Sequence, residues 1–362
     1  MSESKYQATL ADGKEILRIL ESSAAKGSIE LIYTRRPDAY ESYMKDAKDA
    51  RVFISRDGDR AIGTCAELVR EVYIGGEMCR AAYVCGLKKD AEYEGGVGFG
   101  ARFIKDLQQS DVDFYYCSVV AENTDARRMF EKSRRLLSMK PISGYKTYII
   151  NPKVKIKAPK HTFTFRRATE SDTSRLLNFL NTEGKRKDMF PVVKSLDDFY
   201  NLHISDFYLL LDGENIIATA ALWKQTEYKQ YIVKRYGGVM KLARIFNPML
   251  SALRYIQLPK ANEPLDFPML AFFLSKDNNA DNYRIFLNEI KREISKDYGM
   301  FVIGLSDSHF ARPIMDKLPS ISFKTEIYEI KFPWSEQGYK DPDGRPCGYV
   351  YPLRKGAHDR KL

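Results

Sequence analysis

The order of apolar and polar residues predicts alternating helices and strands in the first half of the chain. Apolar residues recur at helical spacing over residues 12–23, which indicates an amphipathic helix. Residues 51–73 alternate in the manner of two strands, and the Asp57-Gly58 pair between them is a strong hairpin signal. A second hairpin leads into a strand at residues 79–88. The pattern therefore predicts a largely antiparallel sheet with helices packed against it.

A glycine-rich turn follows that strand, within LKKDAEYEGGVGFGARFIKDL at residues 87–107. Its glycines are Gly95, Gly96, Gly98 and Gly100, and apolar residues at helical spacing come after them. Glycines before a helix let the backbone approach a ligand, and the free N–H groups of the helix start favour an anion such as a pyrophosphate. A tight connection between a strand and a helix produces the same letters, so the turn alone leaves both interpretations open.

The segment after the turn favours the ligand site. Residues 113–120 predict a buried strand, and Asn123 is placed to cap the next helix. The sequences L-x-K-x-A-E-Y-E-G-G-V-G-F-G-A-R-F-I and E-N-x-x-A-x-x-x-F-E-K resemble the two signature motifs of the GCN5-related N-acetyltransferase (GNAT) superfamily. That family usually shows L-x-V-x-P-x-Y-R-G-x-G-x-G-x-x-L-L and then N-x-x-A-x-x-x-Y-E-K, in the same order and at the same separation.

The resemblance implies an acetyltransferase that binds acetyl-CoA along a splayed fourth strand, with the pyrophosphate on the glycine turn. It also implies that Asn123 approaches the pantetheine arm and that Phe130 lies near the thioester. The residues that the resemblance places at the cofactor are Leu87, Lys88, Lys89, Gly96, Val97, Gly98, Phe99, Gly100, Ala101, Asn123 and Phe130.

Three positions depart from the family pattern. Glu94 stands where the family usually has Arg, which adds a negative charge near the phosphates, and the turn has one extra residue at Val97. Phe130 replaces the Tyr that often protonates the leaving thiolate, so water or another tyrosine has to supply that proton. Tyr83, Tyr115 and Tyr116 are typical of core or edge aromatics, although each carries a phenol.

Transfer to an amine also requires that a base remove a proton from the ammonium form. Glu67 and Glu71 lie at alternate positions of the third strand, so they share a face of the sheet and are the candidate catalytic residues. A pair of carboxylates on a solvated face has the same spacing, and that explanation is the simpler one. His309, at the start of the last helix, is open to a groove-facing role or to a role as a helix cap.

The second half of the chain repeats the order of the first, which predicts a tandem duplication. The matched stretches are residues 8–12 with 168–172, 57–58 with 212–213, and 123–132 with 308–317. The spacing between the matches changes after residue 219, which indicates an apolar insertion near residues 228–259. Where the first half has its glycine turn, the second half has residues 275–281 without glycine, so we expect this copy to keep the fold and lose the cofactor site.

The fold class expected is therefore α/β of the α+β kind, with two tandem GNAT-like domains. Each domain has a central mixed, mostly antiparallel sheet flanked by helices, and the second copy is degenerate. The predicted domains are residues 1–155 with the acetyl-CoA site, residues 160–333 with the insertion, and an irregular tail at residues 334–362.

Composition narrows the function classes. The chain has 362 residues, of which 44% are hydrophobic and 29% charged, and this length and balance suit two globular domains. We find neither a membrane-length apolar run nor an apolar leader in the sequence. The five cysteines form no C-x-x-C pair and the four histidines are scattered, so we expect a reducing cytoplasm, no metal site and no membrane partner.

The net charge of +10, concentrated in the second half, suits anionic partners such as coenzyme phosphates, nucleic acid or an acidic substrate. The basic clusters at residues 185–187 and 234–235 are typical of solvated surfaces, and nucleic acid is not expected. Three hypotheses follow: an N-acyltransferase moving acetyl from acetyl-CoA to an amine, a non-catalytic acyl-CoA-binding or assembly protein, and a tRNA-dependent aminoacyl transferase. The acceptor is unspecified, and a homodimer is left open.

Overall fold

The computed structural model describes residues 6–25, 27, 29–95, 103–104, 107, 111–132, 137–238, 240–241, 256 and 258–332. Its helices are α1 (Gly13–Glu21), α2 (Ala39–Met44), α3 (Thr124–Lys132), α4 (Thr173–Gly184), α5 (Ala280–Asp297) and α6 (Arg312–Met315). Its strands are β1 (Ile29–Thr34), β2 (Asp49–Asp57), β3 (Arg60–Ile74), β4 (Glu77–Lys89), β5 (Phe114–Val120), β6 (Ser138–Ile150), β7 (Thr164–Arg167), β8 (Phe190–Pro191), β9 (Phe207–Asp212), β10 (Asn215–Trp223), β11 (Gln230–Tyr236), β12 (Met269–Ser275), β13 (Phe301–Ser306) and β14 (Ser320–Lys331).

One sheet of 12 strands runs through both halves of the chain. Its order is β2-β3-β4-β5-β14-β6-β13-β12-β10-β9-β7, with β8 paired to β3, while β1 and β11 form a separate ribbon. Among the described pairings, β4 with β5 and β12 with β13 are parallel, and the others are antiparallel. The prediction of a mixed, mostly antiparallel sheet flanked by helices is confirmed.

The two halves repeat each other in structural detail. Thr9 begins a capping box in which its backbone N–H and its hydroxyl donate to Asp12, at 2.8 and 3.0 Å. Thr169 and Asp172 form the same box at 2.9 and 3.0 Å. Each half also has one parallel strand pair, β4 with β5 and β12 with β13. The matches found in the sequence therefore correspond to a tandem structural repeat.

The halves exchange their last strands. β6, which ends the first half, pairs with β13 of the second half, while β14, which ends the second half, lies between β5 and β6. Each half is thus completed by a strand of the other. The division of the sequence at residues 155–160 stays a prediction, because the sheet itself has no gap at that point.

Apolar residues cover both faces of the sheet in the first half. On one face, Ile16 and Ile19 of α1 pack with Tyr43 of α2 against β2 and β3. On the other face, the helical residues Phe103, Ile104 and Leu107 pack with Phe53, Cys65 and Cys117 of the strands. This second cluster also takes in Ile330 and Phe332, so the end of β14 contributes to the core of the first half.

The start of the predicted apolar insertion, residues 228–259, is a strand. β11 pairs with β1 of the first half, with Tyr231 opposite Tyr33, so this segment joins the two halves. Most of the apolar run proposed from the sequence as a wall or lid lies outside the described residues, and so does the tail at residues 334–362. The residues of the run that fall outside are Val239, Leu242, Ala243, Ile245, Phe246, Met249, Leu250 and Leu253.

Candidate active site

The fourth strand parts from the fifth in the middle of the sheet. β4 and β5 pair only where Ala81–Tyr83 lie beside Phe114–Tyr116. Beyond that point β4 follows β3, and β5 follows β14. A cleft therefore opens between residues 84–89 and 117–120, and we call it the splayed cleft.

A β-bulge at Gly86 accompanies the separation. The register of β4 with β3 shifts between Thr64 and Ala66, which gives β4 one extra residue, and Gly86 has a φ of +63°. A side chain at this position would collide with the hydroxyl of Tyr43. Glycine is therefore required both for the backbone conformation and for the close approach of Tyr43. The sequence analysis did not single out Gly86, whose signal is a lone glycine within a strand pattern.

Tyr83 closes the narrow end of the splayed cleft. Its Oη lies 2.6 Å from the Oγ of Ser118, so a hydrogen bond joins β4 to β5 where they part. Burial raises the pKa of Tyr83, so its phenol is protonated at neutral pH. The ring of Tyr116 lies 5.0 Å from that of Tyr83, and burial raises the pKa of Tyr116 to about 12. Two of the three tyrosines named from the sequence therefore lie at the cleft.

Tyr115 points to the opposite face of the sheet. Its hydroxyl donates to the carbonyl of Leu107, and its ring packs edge-on against Phe332, with centroids 5.2 Å apart. The alternation of side chains along β5 explains the difference, since neighbouring residues of a strand face opposite ways. Tyr115 is a core aromatic.

Lys88 and Lys89 use their ammonium groups to hold the backbone around the cleft. Lys88 Nζ donates to the carbonyl of Ser23 at 2.7 Å, just beyond the end of α1, and burial lowers its pKa to about 8. Lys89 Nζ donates to the carbonyls of Tyr93 and Gly95 at 2.7 and 3.1 Å. Lys89 thereby shapes the segment that leads into the glycine turn.

Of the other residues matched to the family, Leu87 and Asn123 belong to the part of the chain that the structure describes. Leu87 packs with the apolar cluster around Phe103. Asn123 caps α3, as predicted, because its Oδ1 accepts a hydrogen bond from the backbone of Ala126 at 3.1 Å. Its contact with pantetheine stays a prediction. The residues Gly96, Val97, Gly98, Phe99, Gly100 and Ala101 lie outside the described residues, as does the side chain of Phe130.

The candidate bases Glu67 and Glu71 each have a cationic partner. Glu67 is fully buried, and its carboxylate accepts from Arg51 Nε at 2.7 Å and from Arg51 Nη2. Glu71 is 44% exposed and pairs with Lys194 Nζ at 2.5 Å. Glu67 is thus held in a buried ion pair and Glu71 lies near the surface. Their catalytic role stays a prediction.

His309 belongs to the second half and lies in the turn before the short helix α6. Its Nδ1 accepts from the backbone of Ala311 at 3.1 Å, and its Nε2 lies 3.2 Å from Lys187 Nζ. Burial, with the charges of Lys187 and Arg312, lowers the pKa of His309 to about 3, so the imidazole is neutral. The residue that caps α6 is Ala311, so His309 does not cap the helix but holds the turn that leads into it.

In the second half, aromatic rings and a capped helix start lie at the equivalent place. β12 and β13 pair at Met269 and Val302, and beyond them Phe273 stacks on Tyr283 with ring centroids 4.2 Å apart. The start of α5 is capped by Asn279, whose Oδ1 accepts from the backbones of Asp281 and Asn282, both at 2.9 Å. N–H groups at the helix start are thus satisfied by the protein's own chain, and the loss of the cofactor site in this copy stays a prediction.

A buried group of charged residues lies beside the bulge, and the sequence analysis did not find it. Arg35 Nη2 donates to Asp46 Oδ2 at 2.5 Å, and Lys229 Nζ donates to the same oxygen at 3.3 Å. Arg70 donates to the backbone carbonyl of Asp46. We call Arg35, Asp46, Arg70 and Lys229 the charged cluster. Its members are far apart in sequence, and Lys229 comes from the second half.

Tyr43 connects the charged cluster to Gly86. The guanidinium carbon of Arg35 lies 3.6 Å from the centroid of the Tyr43 ring, and the hydroxyl of that ring is beside Gly86. Arg35 also donates to Tyr33 Oη at 2.7 Å and to Ser42 Oγ at 3.0 Å. Arg35 is 1% exposed and Asp46 is 2% exposed. The ion pair of Arg35 and Asp46 is therefore buried inside the protein, near the bulge at Gly86.

Two absences hold for the part of the chain that the structure describes. There, no helix is long and apolar enough to span a membrane. In the same residues, no group of three or more His, Cys, Asp or Glu side chains is arranged to hold a metal ion.

The structure is similar to those of several acyltransferases. With Saccharomyces cerevisiae N-myristoyltransferase with bound myristoyl-CoA, the TM-score is 0.59 at 7% identity, over 96% of this chain and 87% of that chain. With a GCN5-related N-acetyltransferase from Anabaena variabilis it is 0.53 at 9% identity, over 90% and 72%. With a probable N-acyltransferase from Enterococcus faecalis it is 0.52 at 10% identity, over 90% and 71%.

No protein family model and no curated protein matches the sequence. At identities of 10% or less, the structural similarities concern the fold alone.

Proposed function

We propose that this chain, which has the fold of the GCN5-related N-acetyltransferases in two tandem copies, transfers the acetyl group of acetyl-CoA to an amine. The observation that supports the proposal most is the contrast between the two copies. The first half combines parting strands and a bulge at Gly86 with a glycine-rich sequence before its helix, whereas the equivalent helix of the second half begins without glycine and is capped by Asn279.

The splayed cleft suits an extended acyl-CoA arm. Residues 84–89 of β4 have β3 on one side only, so the cleft edge of β4 offers backbone groups to a ligand. On the facing strand, Ser118 and Val120 are exposed, and Val120 keeps 40% of its surface accessible. The pantetheine arm would run along this edge, with the pyrophosphate on the glycine turn at residues 96–101 and the thioester near Gly86.

The reaction moves one acyl group and two protons. The amine nitrogen attacks the thioester carbon, the new C–N bond forms and the C–S bond breaks. A proton leaves the amine nitrogen, and one is taken up by the thiolate of coenzyme A. Glu67 and Glu71 are carried forward as candidate bases for the first proton, with Glu71 the more accessible of the two.

We assign the second proton to Tyr83. Phe130 has no proton to give, and Tyr83 is a neutral phenol at the narrow end of the cleft. Its hydrogen bond with Ser118 fixes the ring across the opening. Tyr83 therefore takes the place of the tyrosine that the family usually has farther along the chain.

Titration with acetyl-CoA, followed by measurement of thiol release against a panel of amines, tests the proposal. An acetyltransferase binds acetyl-CoA and releases coenzyme A only when an amine is present. Binding without release would instead support the non-catalytic acyl-CoA protein. Absence of acetyl-CoA binding, with retention of aminoacyl-tRNA on filters at low salt, would replace the proposal with the aminoacyl transferase.

A further inference from the structure

The charged cluster has more positive than negative side chains. Arg35, Arg70 and Lys229 surround Asp46, and both Arg35 and Lys229 pair with the same carboxylate oxygen. Among the described residues, the carboxylate within ion-pair distance of these cations is that of Asp46, which pairs with Arg35 and with Lys229. Uncompensated charge inside a protein is unfavourable, so this arrangement favours the binding of an anion.

Two buried polar atoms in the same place lack a partner. In the described part of the structure, neither Tyr43 Oη nor Asp46 Oδ1 has a hydrogen-bonding group within reach. Tyr43 is fully buried and Asp46 is 2% exposed. Buried polar atoms are nearly always satisfied by protein, water or a ligand, so Tyr43 Oη is left to donate, and Asp46 Oδ1 to accept, a hydrogen bond with a group from outside the chain.

The cluster lies next to the position proposed for the thioester. Cys85 directly precedes the Gly86 bulge, and its thiol is within electrostatic reach of Arg35, Asp46 and Lys229. Burial raises the pKa of the Cys85 thiol to about 11, yet Cys85 and Lys229 both keep part of their surface accessible. The cluster is therefore accessible on the side formed by Cys85 and Lys229, next to the bulge.

Aromatic rings lie on two sides of the cluster. The Tyr33 and Tyr231 rings, one from each half of the chain, lie 5.4 Å apart on the β1–β11 ribbon. Arg70 lies against the ring of Tyr200, at 4.6 Å from its centroid. Apolar walls around a few convergent polar groups are typical of sites for small molecules.

We propose that the accessible side of the charged cluster is the acceptor site and that the acceptor is a small amine that also carries a carboxylate, as a free amino acid does. This inference rests on the proposed function. Lys229 and Arg70 bind the carboxylate, the hydroxyl of Tyr43 directs the acceptor toward Gly86, and Asp46 keeps Arg35 and Lys229 in place. The second half of the chain contributes Lys229, so it takes part in choosing the acceptor.

The test compares three forms of each acceptor: an amino acid, its primary amide, and the amine left after decarboxylation. The amide has nearly the same shape as the acid and lacks only its charge. With acetyl-CoA saturating, kcat/KM from thiol release should be higher for the acid by roughly tenfold or more. Equal or better rates with the amides and the decarboxylated amines would overturn the inference.

Lys229→Met removes the positive charge and keeps the packing of the side chain, because methionine has nearly the length of the lysine stem. The variant should raise KM for the acids until it matches KM for the amides, with KM for acetyl-CoA unchanged. Lys296→Met is the matched control, since Lys296 is exposed on α5 and pairs with Glu293 away from the cluster. A Lys229→Met variant that still melts cooperatively and keeps the preference for acids would contradict the assignment.

Calorimetric binding of the N-acetylated products distinguishes this inference from the proposed function. N-acetyl amino acids should bind the wild-type protein more tightly than their amides, whether or not turnover is seen. If acetyl-CoA binds and no amine is acetylated, the proposed function fails, and this titration still decides the inference. Equal affinities for acids and amides would overturn the carboxylate site even in an active enzyme.

Discussion

Gly86 and Tyr83 lie three residues apart on β4, and each determines one property of the splayed cleft. Gly86 allows a φ of +63° and a close contact with Tyr43, so β4 bulges where the cleft begins. Tyr83, which precedes the bulge on β4, holds β4 and β5 together through its hydrogen bond with Ser118. The opening of the cleft is therefore determined by a few side chains and one backbone conformation.

Tyr83→Phe tests the assigned proton donor. The variant keeps the ring and loses the hydroxyl, so we expect kcat for acetyl transfer to fall by about 10–100-fold with little change in acetyl-CoA affinity. Tyr115→Phe is the control, because its hydroxyl lies on the other face, bonded to Leu107. Steady-state thiol release measures both variants, and the same kcat in Tyr83→Phe as in the wild type would refute the assignment.

Asp90 makes stability depend on pH. Burial opposes its ionisation, yet hydrogen bonds from Arg18 at 2.7 Å and Arg60 at 2.9 Å lower its pKa to about 2. A carboxyl with a depressed folded-state pKa stabilises the protein above its unfolded pKa, near 4, and this stability is lost as the pH falls toward 2.

We expect Asp90→Asn to lower the free energy of unfolding at pH 7 by about 1–2 kcal/mol, with less of a difference at pH 2.5. Urea denaturation at pH 7, 4 and 2.5 measures this. A difference between variant and wild type that is constant over these three pH values would contradict the prediction.

The equivalent strand–turn–helix elements of the two halves have diverged. In the second half the Asn279 cap satisfies the start of α5, whereas the first half has glycines at residues 96, 98 and 100. The element of the second half is thus suited to stability, and that of the first half is suited to binding a ligand.

Paired substitutions in these elements test the division. Asn279→Ala should cost about 1 kcal/mol of stability through loss of the cap and leave acetyl-CoA affinity unchanged. Gly98→Val should weaken acetyl-CoA binding strongly, because a branched side chain blocks the approach of the backbone to phosphate. Calorimetry and thermal melting of both variants give the comparison, and equal losses of affinity would show that the two turns share the cofactor.

Features formed by neighbouring residues could be predicted from the sequence, and features formed by distant residues could not. The Asp57-Gly58 hairpin and the Asn123 cap follow from a few adjacent residues, and both are present. The charged cluster joins residues 35, 46, 70 and 229, and nothing in their local patterns indicates that they meet. Similarly, the partner of Glu67 is Arg51 on the next strand, which only the register of β2 and β3 reveals.

At the scale of the whole molecule, strand exchange makes the two copies interdependent. β14 pairs with β5 from Thr325, opposite Val120, to Ile330, opposite Tyr115, so it lies on the side of β5 away from the splayed cleft. It also pairs with β6 along its length. The exchange was not predictable, because β6 and β14 each follow a helix and have the same strand pattern whichever half they complete.

We therefore expect that residues 1–155 produced alone do not fold as a monomer. Without β14, the fragment leaves edges of β5 and β6 unpaired and loses Ile330 and Phe332 from its core. Co-expression with residues 156–362 should restore a cooperative melt and acetyl-CoA binding. A monomeric 1–155 fragment that melts cooperatively and binds acetyl-CoA would show that the exchange is dispensable.

The stoichiometry of acetyl-CoA binding to the full chain tests the central claim most directly, because the proposal places the donor site in the first copy alone. Isothermal titration should give one site per chain, and that site should be lost in Gly86→Val and kept in Asn279→Ala. A stoichiometry of two sites per chain, or one site that survives in Gly86→Val and disappears in Asn279→Ala, would contradict the assignment of the donor site to the first half.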